Sequence, residues 1–248
     1  MIEDEKMPFS GHLEELRKRL VICFIAIAIG FIISYGFKEK IFHYLTIPLI
    51  SAMQADDKLI FTGLPEAFFT YLKVSLLSGL MLSAPVILYQ FWLFVAPGLY
   101  GKERKLLVPI VFLSSFFFIG GALFGYFIVF PFGFKFFLGF ATETIRPLPS
   151  MREYLSFSSM LLLAFGLVFE LPLVIIFLAR LGIVTVEFLK KNRKYAILLF
   201  FVVAAILTPP DVVTQIMMAF PLMLLYEISI IGARVFGKKK SQKIDNDV

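Results

Sequence analysis

The sequence predicts an all-α membrane protein with six transmembrane helices and both termini in the cytoplasm. Of its 248 residues, 59% are hydrophobic and only 17% are charged. Soluble domains carry about 25% charged residues, so most of this surface is expected to contact lipid. The apolar residues also form runs close to the roughly 20 residues that a helix needs to cross a bilayer core.

Six apolar segments are the predicted spans, and together they form a single transmembrane domain over residues 1–237. The segments cover about 20–37, 71–95, 106–130, 155–179, 195–208 and 212–232. The fifth segment has 14 residues, which form only about 21 Å of helix, against a hydrocarbon core of about 30 Å. Pro209 and Pro210 are expected to end this segment, and Asp211 can cap the next helix. The tail, 238–248, is predicted to be disordered.

The distribution of positive charge predicts the orientation. Of the 24 Lys and Arg residues, 17 fall on the side of the N-terminus and 7 on the opposite side. Positive charge marks the cytoplasmic side of a membrane protein, so both termini are predicted to be cytoplasmic. The net charge of +6 is explained in this way and does not indicate nucleic-acid binding. The longer outer segments, about 38–70 and 131–154, are expected to hold short amphipathic helices and a Phe-rich membrane-surface region, respectively.

Several function classes lack support in the sequence. It contains no phosphate-binding Gly-rich loop with Lys and Ser or Thr, and no His-Glu-x-x-His metalloprotease motif. It also has no Gly-x-Ser-x-Gly nucleophile motif, and neither histidine lies in a predicted span. The only cysteine, Cys23, cannot form an internal disulfide. The sequence therefore predicts a protein that is not an enzyme and has no cofactor.

The segment 10–20, before the first span, has the pattern of an amphipathic helix at the membrane surface. Two acid–base pairs in this segment, Glu14 with Lys18 and Glu15 with Arg19, have the i,i+4 spacing that stabilises a helix. Two interpretations remain open. The charges belong to a solvated helix beside the membrane, or one carboxylate is available to bind a cationic ligand.

The predicted turn between the second and third spans contains a further acid. Pro97 and Gly98 break the helix there, and Glu103 follows among three cations. Glu103 either balances the local charge or forms a two-carboxylate surface with Glu15. Such a surface would suit guanidinium groups, whose planar forks bind carboxylates in bidentate fashion.

Glu170 lies near the middle of the fourth predicted span. An ionised acid there costs at least about 2.5 to 3.5 kcal/mol, so a functional role is favoured over a structural one. Pro172 removes the backbone donor to the carbonyl of Val168, which predicts a kink. In the structural interpretation, a protonated Glu170 would hydrogen-bond the backbone groups that this kink exposes. Gln90 and Gln215 are candidate partners of Glu170, and the sequence does not decide between them.

Polar side chains flank the short hairpin between the last two spans. Thr208 and Gln215 could each hydrogen-bond a helix of another protein or a helix of the same bundle. The sequence favours neither use.

Four motifs occur in order along these spans. They are His12–Leu20, Phe94–Glu103, Phe169–Pro172 and Leu207–Asp211. In this topology the sequence resembles the TatC family, the core subunit of the twin-arginine protein translocase. The resemblance extends from about Met7 to Gly237.

The resemblance implies a concave helix array in the bacterial cytoplasmic membrane that binds twin-arginine signal peptides. The partners implied are the single-span proteins TatA and TatB, with self-association into a complex that exports folded proteins using the proton-motive force. Glu15 and Glu103 would bind the paired arginines. The other residues of this implied surface are Arg17, Phe94, Pro97, Leu99 and Tyr100.

The resemblance also assigns residues elsewhere. It implies that Glu170 faces the concave side, that Pro48 and Asp211 are important outer positions, and that Thr208 and Gln215 contact partner helices. Glu14 departs from the family pattern, in which many members have a neutral residue, and leaves open which acid binds the arginines. The alternative function is a proton-coupled secondary transporter of a small molecule. That function would predict an inverted repeat and further ionisable groups in the membrane, and neither is evident in the sequence.

Overall fold

Helices make up nearly all the regular structure in the computed structural model of the chain. It describes residues 9–54, 57–95, 107–142, 144, 147–207 and 212–237. The helices are α1 (Phe9–Gly36), α2 (Lys38–Ile50), α3 (Glu66–Val95), α4 (Leu107–Phe124), α5 (Phe130–Leu138), α6 (Met151–Val168), α7 (Leu171–Arg180), α8 (Val186–Lys191), α9 (Arg193–Leu207) and α10 (Val212–Phe236). A π-helical turn over Gly125–Val129 joins α4 to α5. The predicted all-α fold class is confirmed.

Five helical runs within the described residues are long and apolar enough to cross a membrane. They are Leu13–Gly36, Glu66–Val95, Val108–Leu138, Met151–Arg180 and Val212–Phe236. The predicted fifth span corresponds to α9, whose 15 residues make it shorter than these runs. The count of six spans and the cytoplasmic position of the termini stay predictions.

The helices extend beyond several predicted boundaries. The amphipathic segment 10–20 belongs to α1 and continues directly into the first predicted span, as expected. The helix of the third predicted span continues past 130, because α5 extends to Leu138 and so enters the segment predicted to lie at the membrane surface. Pro131 lies in the first turn of α5, directly after the π-helical turn, where the backbone already departs from the regular hydrogen-bonding pattern of an α-helix. Within the described part of the outer segment 38–70, α2 is a helix of 13 residues.

The chain divides into two compact units, and α3 is the central helix of the first, which ends at Leu167. It packs against α1, α2 and α4. The packing on α1 is close because Gly30 meets Gly79. A Cβ atom added to Gly79 would lie 2.5 Å from the backbone nitrogen of Phe31. On the α4 side, the buried Trp92 indole donates a hydrogen bond to Ser114 Oγ at 2.6 Å.

A short backbone bridge in the first unit joins the loop before α3 to the segment before α6. The amide of Ile60 donates to the carbonyl of Pro149 at 3.2 Å, and the amide of Met151 donates to the carbonyl of Ile60 at 2.8 Å. Two segments far apart in sequence are thereby held together at the N-terminal ends of two helices.

The second unit begins at Val168 and contains α7 to α10. Its core is apolar and consists mainly of Ala179, Leu189, Phe200, Leu222, Tyr226, Ile230 and Ala233. The hydroxyl of Tyr226 donates to the carbonyl of Leu189 at 3.0 Å, which fixes α8 against α10. Thr185 begins α8 by accepting a hydrogen bond from the amide of Phe188.

Candidate functional site

The pairing of α1 with α3 determines which polar side chains meet. The two helices run antiparallel and cross where Gly30 meets Gly79. Arg19 on α1 and Gln90 on α3 lie at equal distances along the chain from this crossing point. That separation is close to three full turns, or about 16 Å of helix. Arg19 and Gln90 therefore face each other on the side of each helix that forms the interface.

Glu15 binds a guanidinium group of its own chain. The Nε and Nη2 atoms of Arg19 both donate to Oε1 of Glu15, with the Nε contact at 3.1 Å. The Nη1 atom of Arg19 donates to Oε1 of Gln90 at 3.2 Å. The side chains of Glu15 and Arg19 are only 25% and 18% exposed. Glu15 thus lies in a partly covered position whose geometry accepts an arginine.

Glu14 has a different environment from its neighbour. Its carboxylate forms an ion pair with Lys18 at 2.9 Å, and both side chains are largely exposed to solvent. Both predicted i,i+4 pairs are therefore confirmed. An exposed pair of this kind contributes little to stability, so the more covered Glu15 is the better candidate for ligand binding.

The other residues of the predicted binding surface are only partly described. The side chain of Arg17 is exposed, and that of Phe94 is half-buried near the C-terminal end of α3. Glu103, Pro97, Leu99 and Tyr100 lie outside the described residues.

Glu170 lies at an interruption of the helix formed by the fourth predicted span. The regular helix ends at Val168 and resumes at Leu171 as α7, with Pro172 in its first turn. The predicted effect of Pro172 is consistent with this break. The side chain of Glu170 is 8% exposed, and its carbonyl accepts a hydrogen bond from the amide of Val174. The acid is buried beside backbone that departs from regular helix.

The two glutamines proposed as partners of Glu170 form hydrogen bonds with other groups of the chain. Gln90 accepts from Arg19, as described above. The Nε2 atom of Gln215 donates to the carbonyl of Phe201 at 3.0 Å, which links α10 to α9. Thr208 and Asp211 lie outside the described residues.

Pro48 changes the hydrogen bonding of α2. It is buried inside the helix, and it has no N–H group to donate to the carbonyl of Tyr44 four residues earlier. The hydroxyl of Tyr126 donates to that carbonyl, and the hydroxyl of Tyr154 donates to the next one, of Leu45. Pro48 therefore leaves an acceptor that a distant side chain uses. Sequence analysis did not single out either tyrosine.

Glu66 is a third polar residue that sequence analysis missed. Its Oε2 accepts from the amides of Thr62 at 2.7 Å and Gly63 at 3.2 Å, and from the Thr62 hydroxyl at 3.1 Å. Its Oε1 accepts from the amide of Arg152 at 3.0 Å. One carboxylate thus serves the N-terminal ends of both α3 and α6. An acid directly after Pro65 at the start of a helix was the signal that could have identified it.

The described residues hold no group of three or more His, Cys, Asp and Glu side chains arranged to bind a metal ion. Their polar groups can bind cations through carboxylates and hydrogen bonds.

Comparisons with known proteins agree on one family. The sequence profile of the family described as Sec-independent protein translocase protein (TatC) matches residues 11–221. A protein of Desulforapulum autotrophicum named Sec-independent protein translocase protein TatC is 68% identical over 238 residues, covering 96% of this chain and 88% of its own length. The protein of the same name from Escherichia coli is 41% identical over 244 residues, covering 98% and 95%.

A solved structure also has this fold. The crystal structure described as the twin arginine translocase receptor TatC superposes with a TM-score of 0.81 at 43% sequence identity. The match covers 90% of this chain and 98% of the crystallised one. Sequence and structure therefore indicate the same relatives over nearly the full length.

Proposed function

We propose that this chain, which belongs to the TatC family of Sec-independent protein translocase proteins, binds twin-arginine signal peptides at the cytoplasmic face of the bacterial inner membrane. It is a multi-pass membrane protein and a core subunit of the translocase. The proposal concerns which of its residues bind the signal peptide and on which side of the membrane they lie.

The guanidinium contact at Glu15 is the main observation in support. Two nitrogens of the Arg19 fork donate to one oxygen of Glu15 in a partly covered position. An arginine of a signal peptide presents the same planar group. Arginine suits such a site better than lysine, whose ammonium is a compact point charge without a rigid fork.

Local geometry has to supply the selectivity of this site. The predicted cytoplasmic side carries 17 Lys and Arg residues, so long-range electrostatics repel a peptide with two arginines. Glu103, on the neighbouring predicted loop, is the proposed second acid. Arg17, Phe94, Pro97, Leu99 and Tyr100 complete the proposed surface.

The apolar part of the signal peptide is proposed to follow into the membrane near Glu170. An acid that is 8% exposed in an apolar span is costly unless it is protonated, hydrogen-bonded or in contact with water. A groove that admits a peptide would supply such a polar path. The resemblance to the family implies the proton-motive force as the source of energy, and the sequence contains no nucleotide-binding motif that would supply another.

The hairpin of α9 and α10 is proposed to contact the single-span partners TatA and TatB. Gln215 lies near the start of α10, where it bonds the carbonyl of Phe201 within the bundle, and its half-buried side chain is still partly open to a partner helix. Thr208 is the second proposed contact residue, and Asp211 is proposed as an outer structural position. Pro48, through its effect on α2, is proposed as an important position on the outer side of the protein.

Replacement of both proposed acids tests the binding function. In the double variant Glu15→Ala, Glu103→Ala, a fluorescent peptide with two adjacent arginines and an apolar segment should lose its measurable affinity for the purified chain in detergent micelles. The physical reason is that neither arginine then has a carboxylate partner.

Two single variants serve as matched controls. Glu14→Ala removes an exposed acid from the same helical turn, and Glu187→Ala removes an exposed acid on α8, predicted to lie on the same face. Both should leave the affinity within about twofold, the scale of a surface ion pair. Unchanged affinity in the double variant would rule out the proposed acids, and a large loss in Glu14→Ala would shift the role to that residue.

A further inference from the structure

The guanidinium position beside Glu15 is already occupied. Arg19 directs three of its nitrogens to two acceptors, Glu15 on its own helix and Gln90 on α3. It is more covered than Lys18, whose side chain is 73% exposed, against 18% for Arg19. Arg19 is therefore held in place by two helices and does not extend freely into solvent.

We propose that Arg19 is an internal competitor of the signal peptide, which an incoming arginine must displace from Glu15. This inference rests on the proposed function, since it assumes that Glu15 binds peptide arginines. Arg19 and the peptide present the same chemical group to the same carboxylate. The charge of Glu15 is already paired while Arg19 donates to its Oε1 atom, so a second cation gains a full ion pair only by displacing Arg19.

Gln90 supplies the second half of this exchange. Its carbonyl oxygen already accepts one hydrogen bond from Arg19 Nη1. When a peptide arginine takes Glu15, Arg19 keeps this partner on α3 and its charge is not left without a hydrogen bond. The register of α1 on α3, fixed by the contact of Gly30 with Gly79, places Gln90 where it can do this.

Competition has a defined quantitative consequence. A ligand that binds only the open site has its apparent affinity reduced by the fraction of molecules in which the site is open. A partly covered ion pair with one additional hydrogen bond reduces the fraction of molecules with an open site by roughly three- to tenfold. Arg19 weakens all guanidinium and ammonium ligands by the same factor. For weak ligands, such as peptides with lysines in place of arginines, this factor raises the Kd above the concentration at which the peptide is present.

The test compares Arg19→Gln with the unchanged chain. The purified full-length protein in detergent micelles is titrated with a fluorescent peptide containing two adjacent arginines, and with the same peptide containing two lysines. The proposal expects the Kd for both peptides to fall by a common factor, roughly three- to tenfold. Lys190→Gln, which removes an exposed cation on α8 that is predicted to lie on the same face, is the matched control for the change in net charge and should not lower the Kd of both peptides by that factor.

A second variant separates competition from a structural role of Arg19. In a chain that already contains Glu15→Gln, adding Arg19→Gln should leave the Kd unchanged, because the contested carboxylate is gone. A conservative Arg19→Lys change should give an intermediate Kd, since lysine forms a weaker pair. Elution as a single species in size-exclusion chromatography verifies that each variant is folded.

The outcomes distinguish this inference from the proposed function. If Glu15→Gln weakens the arginine peptide while Arg19→Gln leaves its Kd unchanged or raises it, Arg19 is not a competitor and the inference is overturned. If Glu15→Gln has no effect on either peptide, binding at Glu15 itself is wrong. A lower Kd for both peptides in Arg19→Gln, abolished in the Glu15→Gln background, supports the inference.

Discussion

Glu15 shows how a single residue gains a role from its surroundings. Glu14 and Glu15 are adjacent acids, and each has a basic partner four residues later. The structure separates them by exposure, because Glu14 projects into solvent with Lys18 while Glu15 and Arg19 are covered beside α3. Partial removal from water strengthens a charge-assisted hydrogen bond, so the same chemical group is a more selective ligand at position 15.

Tyr126 offers a test of the effect of Pro48 at the residue scale. Its hydroxyl donates to the carbonyl of Tyr44, the acceptor that Pro48 leaves without its helical donor. Tyr126→Phe should lower the free energy of unfolding by about 1 kcal/mol, the typical value of one hydrogen bond. Thermal unfolding of the purified protein in detergent measures this change.

Pro48→Ala in combination with Tyr126→Phe gives the decisive comparison. Alanine restores an N–H group that can donate to the carbonyl of Tyr44. In the Pro48→Ala background, Tyr126→Phe should therefore lower the free energy of unfolding by clearly less. Equal costs in both backgrounds would show that the two residues act independently.

The α1–α3 pair is the element that connects packing with the binding site. Gly30 and Gly79 allow the backbones to approach closely. Small residues at the contact are typical of helices packed in membranes, where the hydrophobic effect does not hold helices together. Because the crossing point sets the register, it also determines that Arg19 meets Gln90 about three turns away. A change at the crossing point should therefore alter the contact between Arg19 and Gln90 and the binding site at Glu15.

Gly79→Ala tests this connection between helix packing and the site. The added Cβ atom would lie 2.5 Å from the backbone of Phe31, so α1 has to move away, at a cost of about 1 to 3 kcal/mol in the free energy of unfolding. The shift should also loosen the bond between Arg19 and Gln90. We expect a lower unfolding temperature together with an altered Kd for the arginine peptide.

Gly120→Ala is the matched control for this substitution. Gly120 lies in α4, and a Cβ atom added there would meet no atom within 4 Å. Replacement by alanine should be neutral or slightly stabilising, because alanine has the higher helix propensity. Equal destabilisation by the two substitutions would mean that the crossing point has no special role.

At the scale of the whole molecule, composition and hydrophobic periodicity were sufficient to predict the class of fold and most helices. They could not show that α5 extends past 130, because a proline at a helix start and a proline in a loop look alike in sequence. The pairs Glu15–Arg19 and Glu14–Lys18 were predictable since they depend on spacing within one helix. The bonds from Arg19 to Gln90, from the amide of Arg152 to Glu66 and from Tyr126 to the carbonyl of Tyr44 depend on how distant helices meet. No local pattern contains that information.

The resemblance to the TatC family is confirmed by the family profile, by the curated relatives and by the solved structures. The alternative of a proton-coupled transporter for a small molecule has no support among these relatives. Membership in the family fixes the general function, that of a core subunit of the twin-arginine translocase.

Site-specific photo-cross-linking to the arginine peptide tests the central claim most directly. A photoreactive phenylalanine analogue is placed at exposed Lys18, beside the proposed acids, and separately at exposed Lys40, on the predicted opposite side of the membrane. With membrane vesicles whose cytoplasmic face is outward, position 18 should cross-link to the peptide, and lysines in place of its arginines should abolish the product. Position 40 should give no product. Cross-linking at position 40, or equal products at position 18 with both peptides, would contradict recognition of paired arginines at this site.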